Sequence, residues 1–532
     1  MDSSKLKVII ITTLALCCAL YLGIAAATAQ TEAIAWVVGT LGLVIIHGLG
    51  KHVWVLIPIS LALLGNISFI PGSPSMWWLV TIACASITTM RFLMRKTDFM
   101  IRFTWIDFAI LLQVLAVGQA YMRNPTGLAI LGGDVIGGKP YFTYGFAFVA
   151  YLLISITRTD LKVVKLVVIF TILMSFIDGG IFFASIFLPA FAANVIPFYS
   201  GVSYIAATSG TESTDADEGR IVGAKLIGEA MGMAAFTLFR PITTLNPLKF
   251  IPFALMACSI SLIMVSGFRS LIFKLATVAI VSSLIRRKPV DVLIGGALAF
   301  FALVLLVTTQ SAARLPFGAQ RILSELPFDV GVESRAAVDA DKSSDWRFEM
   351  WRLALTTDRY IQNKLLGDGF GYRSDELRAA LDSLAGDNRR SAQGQGTQEA
   401  MMAKGSYHGF HVEAIRMTGI LGLLCALVGM GIFLRYAWIQ IQYFRGRPEW
   451  GYVLFICVPF LIYPFYLMLV FGQYKQEFAG ILVASAMIKI LDNIRIREIA
   501  ETRVLALTSQ ASMVPTRAAA VSGGQRTYTT GN

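Results

Sequence analysis

Apolar stretches of about twenty residues, repeated along most of the chain, constrain this sequence more than any motif in it, because a helix of that length spans the roughly 30 Å hydrocarbon core of a bilayer. Val8 to Ala27, Ala33 to His47, Val53 to Ile70, Met76 to Met94, Phe103 to Met122, Tyr141 to Thr157 and Val163 to Leu188 make up the first half. Ala224 to Phe239, Phe250 to Val265, Leu271 to Leu284, Val290 to Val307, Val412 to Leu434, Gly451 to Phe471 and Phe478 to Leu491 make up the second. In lipid the backbone must satisfy its own polar groups, so runs of this kind fold as helices. The expected fold class is therefore all-α, a polytopic helical membrane protein with about 12–14 transmembrane helices. Only 15% of the 532 residues are charged and 56% are hydrophobic. Soluble domains carry about 25% charged residues, so soluble multidomain enzymes, disordered chains, collagens and disulfide scaffolds are excluded.

The cysteines support the same conclusion. Cys17, Cys18, Cys84, Cys258, Cys425 and Cys457 each fall inside an apolar run, without a CxxC metal pattern or an aqueous disulfide partner, and read as core thiols. Lys5 and Lys7 followed by an apolar stretch ending at Ala27-Thr28-Ala29 imitate a signal peptide. The stretch is longer than a usual signal-peptide core, which makes it an uncleaved first helix.

A formal net charge of +12 is read here as retention of cytoplasmic loops, not as a nucleic-acid surface. Lys51, Arg91, Arg95, Lys96, Arg102, Arg158, Lys162, Arg240, Lys249, Arg286, Arg287, Lys288, Arg435, Arg445 and Arg447 fall in alternate connections. Opposite loops such as Thr28 to Glu32 and Pro71 to Ser75 have no Lys or Arg, so both termini are expected in the cytoplasm. The chain then divides into residues 1–308 with helices and short loops, an external loop domain over 309–411, further helices over 412–491, and a disordered cytoplasmic tail over 492–532. Within the external loop, Arg347, Met350, Trp351 and Ala354 share one helical face, which predicts order over Trp346 to Gln362.

Polar residues collected at the outer boundary are the candidates for chemistry: Arg220, Glu229, Arg269, Arg347, Arg352, His408 and His411. Arginines at helix ends also anchor by snorkelling, which is the plainer reading of Arg220 and Arg269 taken singly. His408 and His411, with Glu413 nearby, have the i, i+3 spacing of metal ligands, but the loop supplies no further His or Cys as a third ligand and no metal is expected. Gly367-Asp-Gly-Phe-Gly371 lacks a surrounding βαβ unit and is read as a turn, not a nucleotide loop.

Order along the chain adds what single motifs lack. Ser266-Gly-Phe-Arg-Ser270 lies between two runs, followed by Arg347-Phe-Glu-Met-Trp351, Leu365-Leu-Gly-Asp-Gly-Phe-Gly371, and His408 ahead of Gly419-Ile-Leu-Gly422. In this the chain resembles the O-antigen ligase and polysaccharide polymerase superfamily over Ala254 to about Met430. The sequence departs from that pattern at Gly409, where the family usually has Asn, at Gln362-Asn-Lys364, and at Met417.

The resemblance implies a GT-C-like membrane fold and a glycosyltransferase of the bacterial cytoplasmic (inner) membrane. Its donor would be a polyprenyl-pyrophosphate-linked glycan and its acceptor a sugar hydroxyl of a glycan or lipid core, with no cofactor, metal or nucleic acid. It further implies that Arg220 and Arg347 bind the pyrophosphate and that His408 is the catalytic base, with Arg269, Arg352, His411 and Glu229 in supporting places. Guanidinium suits a pyrophosphate through paired donors and permanent charge, and a neutral imidazole suits proton abstraction from a hydroxyl. Three functions remain open at this stage: an O-antigen ligase, a polymerase of lipid-linked repeat units, and a polysaccharide transporter or flippase without covalent chemistry.

Overall fold

The computed structural model describes residues 48–67, 73–95, 99–125, 138–188, 221–324, 346–370, 405–475 and 477–513, with isolated positions such as Tyr199 and Met402. The first two apolar runs, Val8 to Ala27 and Ala33 to His47, lie almost wholly outside the described residues, as does Arg220. Among those described, regular structure is helical, with isolated bridges at Asn66–Ser75 and Phe99–Thr157 and no β-strand.

The long helices are α1 (Met76–Leu93), α2 (Trp105–Arg123), α3 (Lys139–Ser155), α4 (Leu161–Phe187), α5 (Val222–Leu238), α6 (Phe250–Ser266), α7 (Arg269–Ile285), α8 (Pro289–Thr309), α9 (Phe410–Tyr443), α10 (Trp450–Phe465) and α11 (Glu477–Met513). Among the described residues, six helical stretches are long and apolar enough to cross a membrane, namely α1, α2, α4, α8, α9 and Trp450–Val470, which starts with α10. The chain is a multi-pass helical membrane protein.

Two helices organise the bundle. Small residues let α5 sit deep between α4 and α6: Ser259 donates to the Gly228 carbonyl at 2.6 Å, and a Cβ on Gly228 would come within 2.9 Å of Ile263. α9 packs along α2 and α10, and α11 runs beside α3. Phe433, Phe444, Cys457, Phe478, Leu482 and Ile488 are buried in one continuous core between them.

Successive helices alternate in direction and sort the charges. One end gathers Arg102, Arg158, Arg240, Arg286, Arg445, Arg447, Arg495 and Arg497, tied together across elements. Arg102 and Arg495 pair with Asp492, Arg447 pairs with Glu498 at 2.8 Å, and Arg497 pairs with Asp160. The opposite end carries the start of α5, the turn from α6 to α7, residues 346–370 and the start of α9.

Three expectations change. The run Val53 to Ile70 is not one spanning helix: a 3-10 turn, Gly50–Val55, continues as a short helix, Leu56–Ser60, and stops. Beyond it the backbone is received by side chains, Leu64 N–H donating to Asp178 and Gly65 N–H to the Tyr199 hydroxyl. The disordered tail expected from residue 492 is also corrected, since α11 continues to Met513 with Asp492, Asn493 and Ile494 buried. Hydropathy ends at Leu491 because the helix there turns from apolar packing to ion pairs, not because the helix stops. Residues 514–532 lie outside the described residues. Finally, the described parts of 309–411 are not a separate domain, because Phe370 joins the main core and Met350, Ala354 and Tyr407 share a cluster with Val412 and Ile415 of α9.

Candidate functional site

The site starts from a break in α9. Gly419 has φ 78° and ψ 179° inside an otherwise continuous helix, a conformation open to glycine and strained for other residues. A helix break orphans backbone donors and acceptors, and the Leu365-Leu-Gly-Asp-Gly turn fills them. Ile420 and Leu421 N–H donate to the carbonyls of Lys364 and Leu365 at 2.8 and 3.3 Å, while Asp368 and Gly369 N–H donate to Arg416 and Met417 at 2.8 and 3.0 Å. The approach is close from both sides: a Cβ on Gly419 would lie 2.2 Å from the Leu365 carbonyl oxygen, and one on Gly367, φ 75°, 2.5 Å from the Gly419 nitrogen. One glycine from each motif, Gly367 and Gly419, thus lets the turn interlock with the broken helix.

Side chains then lock the turn. The Asp368 carboxylate accepts Gln362 and Asn363 N–H at 2.8 and 2.9 Å and faces Arg416 at 3.4 Å. From α2, Gln119 donates to the Leu366 carbonyl at 2.9 Å, Arg123 to Gly367 at 3.1 Å, and Asn124 to Asp368 at 2.6 Å. The Tyr141 hydroxyl accepts the N–H of Phe370, whose ring packs on Tyr141 and Tyr144. Gly367–Gly371 was expected to be a turn; its described part, up to Phe370, is a turn built into the bundle.

His408 stands just ahead of the broken helix, at the left-handed φ of 49°. Few residues other than glycine adopt this region, and such strain persists only where neighbours enforce it. Trp351 Nε1 donates to the Tyr407 carbonyl at 2.7 Å, and the buried Glu413 carboxylate accepts the Tyr407 N–H at 3.3 Å. The His408 ring stacks on Phe471 at 5.7 Å and meets Trp346 edge-on at 6.3 Å. Gly409 leaves room for its neighbour, since a Cβ there would come within 2.7 Å of the Trp351 ring. His411 packs edge-on against Trp351 at 4.8 Å, with its Nδ1 buried and without a hydrogen-bond partner among the described residues.

The helix expected over Trp346 to Gln362 is helical over 346–356. Met350 and Ala354 face the core as the spacing predicted, and Arg347 is half-buried beside Trp346. The structure sets His408 and His411 against Trp346 and Trp351 of the helix that carries Arg347. Arg352 points elsewhere, to Glu349 at 2.5 Å on the exposed side of that helix, where its guanidinium holds the Glu349 carboxyl below the usual range.

Arg269 opens α7 after Gly267, whose φ of 71° makes the tight turn read from Ser266-Gly-Phe-Arg-Ser270. Glu229 on α5 is engaged by Lys274 of α7 at 2.5 Å, and Lys274 also lies over the rings of Tyr466 and Tyr463 at 5.5 and 5.9 Å. Lys225 lies over Phe268 at 4.9 Å. Sequence reasoning missed Lys274, yet the signal was present: a lysine inside one apolar run and a glutamate inside another must find each other in lipid. Phe471, between the irregular end of α10 and α11, had no signal, since stacking under His408 is a property of the fold alone.

Comparison of the sequence with protein-family models and with curated proteins gives no match. The chemistry of the site rests on its own residues.

Proposed function

We propose that the chain is a membrane glycosyltransferase that moves a glycan from polyprenyl pyrophosphate to an acceptor sugar hydroxyl, as an O-antigen ligase does. One observation carries the reading: the Trp351 to Tyr407 hydrogen bond, which docks the Arg347 helix onto the strained loop of His408 at the end opposite the arginine-rich one. By the positive-inside rule that arginine-rich end lies in the cytoplasm, and His408 then meets flipped lipid-linked glycans on the outer side.

In this reading His408 accepts the proton of the acceptor hydroxyl while its oxygen bonds to the anomeric carbon. The bond from that carbon to the phosphate oxygen breaks, the electron pair leaves with the lipid pyrophosphate, and a single displacement inverts the carbon. Arg347 and Arg220 hold the departing charge with paired donors, and Arg269 supports them from the start of α7. A polymerase of repeat units would use the same step with a second lipid-linked glycan as acceptor.

The test is transfer in proteoliposomes supplied with a lipid-linked glycan and a lipid-core acceptor. Product from the native chain and none from His408→Ala supports the ligase; product only when both partners are lipid-linked repeat units makes it a polymerase. A second reading has its own support, because the broken α9 and the Glu229–Lys274 pair inside the bundle are features of transporters. Movement of lipid-linked glycan across the bilayer, without any covalent product and unaffected by His408→Ala, would establish transport instead.

A further inference from the structure

A second cluster of guanidinium groups lies at the opposite end of the bundle, outside the proposed site. Arg286, at the end of α7, is half-buried and stacks over the Trp450 ring at 5.1 Å, and Arg445 approaches the same ring at 5.9 Å. Each is steered by a backbone carbonyl, Arg286 by Thr237 at 2.7 Å and Arg445 by Ile285 at 3.2 Å. Arg240 reaches the same corner, doubly bonded to Asp291 at 2.5 and 2.8 Å. Trp450 is itself fixed, its Nε1 donating to the Ile441 carbonyl at 2.9 Å.

The hydrogen bonding of this corner is incomplete. Arg286 Nε is shut away from solvent with no partner among the described residues, and so is the hydroxyl of Ser282, one turn earlier on α7. A buried donor without an acceptor is unfavourable, and like charges gathered this closely repel. Arg240, Arg286, Lys288 and Arg445 outnumber the acids of the corner, Asp291 and Glu449, and both oxygens of Asp291 are taken by Arg240. An anion with several acceptor oxygens answers both the excess of positive charge and the unmatched donors. Beside it, α8 leaves Leu293, Leu298, Phe300 and Phe301 exposed, an apolar wall along which acyl chains can lie.

We propose that Arg286 and Arg445, stacked on Trp450, form a site for a phosphate group, supplied by an anionic glycerophospholipid whose chains lie along α8. Guanidinium groups bind phosphate oxygens through paired donors, and a tryptophan at the headgroup level suits the interface. Basic groups at this level attract anionic lipid, while two arginines fixed over one ring give a point of binding rather than a diffuse field.

The experiment uses the full-length protein in detergent, with thermal unfolding followed as lipid is added. Phosphatidylglycerol should raise the midpoint by several degrees, saturably, and phosphatidylcholine by less. Arg445→Gln and Arg286→Gln should each reduce the phosphatidylglycerol shift at least threefold, while Lys288→Gln keeps it. Arg445→Gln carries the test if Arg286→Gln does not fold, since Arg445 contributes one backbone contact. An undiminished shift in Arg445→Gln, or an equal loss in Lys288→Gln, overturns the site. Inorganic phosphate at millimolar concentration is the remaining arm: a saturable shift abolished by the same substitutions keeps the phosphate site and replaces the lipid by a free anion.

Discussion

The two ends of the bundle hold similar side chains in opposite ways. At the arginine-rich end, charge is used to join helices: Asp492, buried on α11, receives Arg102, Arg495 and Gln440, and Asp107 of α2 receives Lys489 and the Tyr151 hydroxyl. At the other end, order comes from the backbone. Gly267, Gly367, Gly369, Gly405, His408 and Gly419 all have positive φ there, and the loop of His408 is held by a tryptophan N–H and a carboxylate on its peptide groups. Ion pairs fix helices against one another and leave side chains committed. Backbone locks fix a loop through its peptide groups, which is where strain is expected to collect.

That contrast predicts how each end fails. The largest effect is at the interlocked turn: Gly367→Val places a Cβ 2.5 Å from the Gly419 nitrogen at a left-handed φ, and strain with a backbone clash amounts to at least about 3 kcal/mol. The variant should not accumulate as folded protein, measured by monodispersity on size exclusion. A monodisperse, active Gly367→Val would show that the turn and the broken helix are not locked as described.

Next comes Asp492→Ala. Removing one partner of a buried ion network leaves the others uncompensated, about 3–5 kcal/mol where burial is complete. Asp492 is 1% exposed but Arg102 and Arg495 are 29% and 21% exposed, so the lower figure applies, about 3 kcal/mol. Thermal unfolding should show this loss while the fraction that remains folded keeps its activity. Equal loss of activity per folded molecule would erase the distinction between the ends.

His408→Ala reverses the pattern. Its midpoint of unfolding should fall only by what ring packing on Phe471 and Trp346 contributes, whereas transfer should fall by about 10² or more, the usual contribution of a general base. Arg347→Ala should behave similarly, with poor rescue by lysine, which lacks paired donors. His411→Ala should retain most transfer. Loss at His411 alone would shift the base by one turn and leave the Trp351 docking as the surviving part of the site.

Much of this was legible in the sequence, for identifiable reasons. Burial in lipid forces helices wherever apolar residues run long enough, and the four motifs in order located both partners of the α9 lock before their contact was known. Met350 and Ala354 fell on the buried face because helical spacing alone decides it. What stayed hidden is what depends on long-range pairing. Val53 to Ile70 is largely apolar through its first half, and only Asp178 and Tyr199, each more than a hundred residues away, reveal that the backbone beyond a helix end is satisfied there. The continuation of α11 was hidden because its charges, read as solvent-seeking, are matched by Asp160 and Arg447 from other connections. Glu229 was placed among the site residues from its position, whereas its partner Lys274 shows an ion pair between α5 and α7.

The smallest effect tests whether charge at the arginine-rich end is structural even at its rim. Burial alone would push the Glu498 carboxyl up, but hydrogen bonds from Arg447 and the Tyr443 hydroxyl outweigh it and leave the group below the usual carboxylate range. A depressed carboxyl stabilises the fold above its unfolded pKa, and that contribution disappears as pH falls through the folded value. The native chain should therefore lose a little more stability than Glu498→Gln between neutral pH and the acid side of the ordinary glutamate range, since the amide has no proton to take up. Both partners are about a third exposed, so the difference at neutral pH should stay below about 1 kcal/mol. Glu498→Gln should leave transfer at the far end unchanged. A pH profile of stability identical in the two proteins would mean that the rim pair is solvated, and that the joining of helices by charge is confined to the more enclosed Asp107 and Asp492.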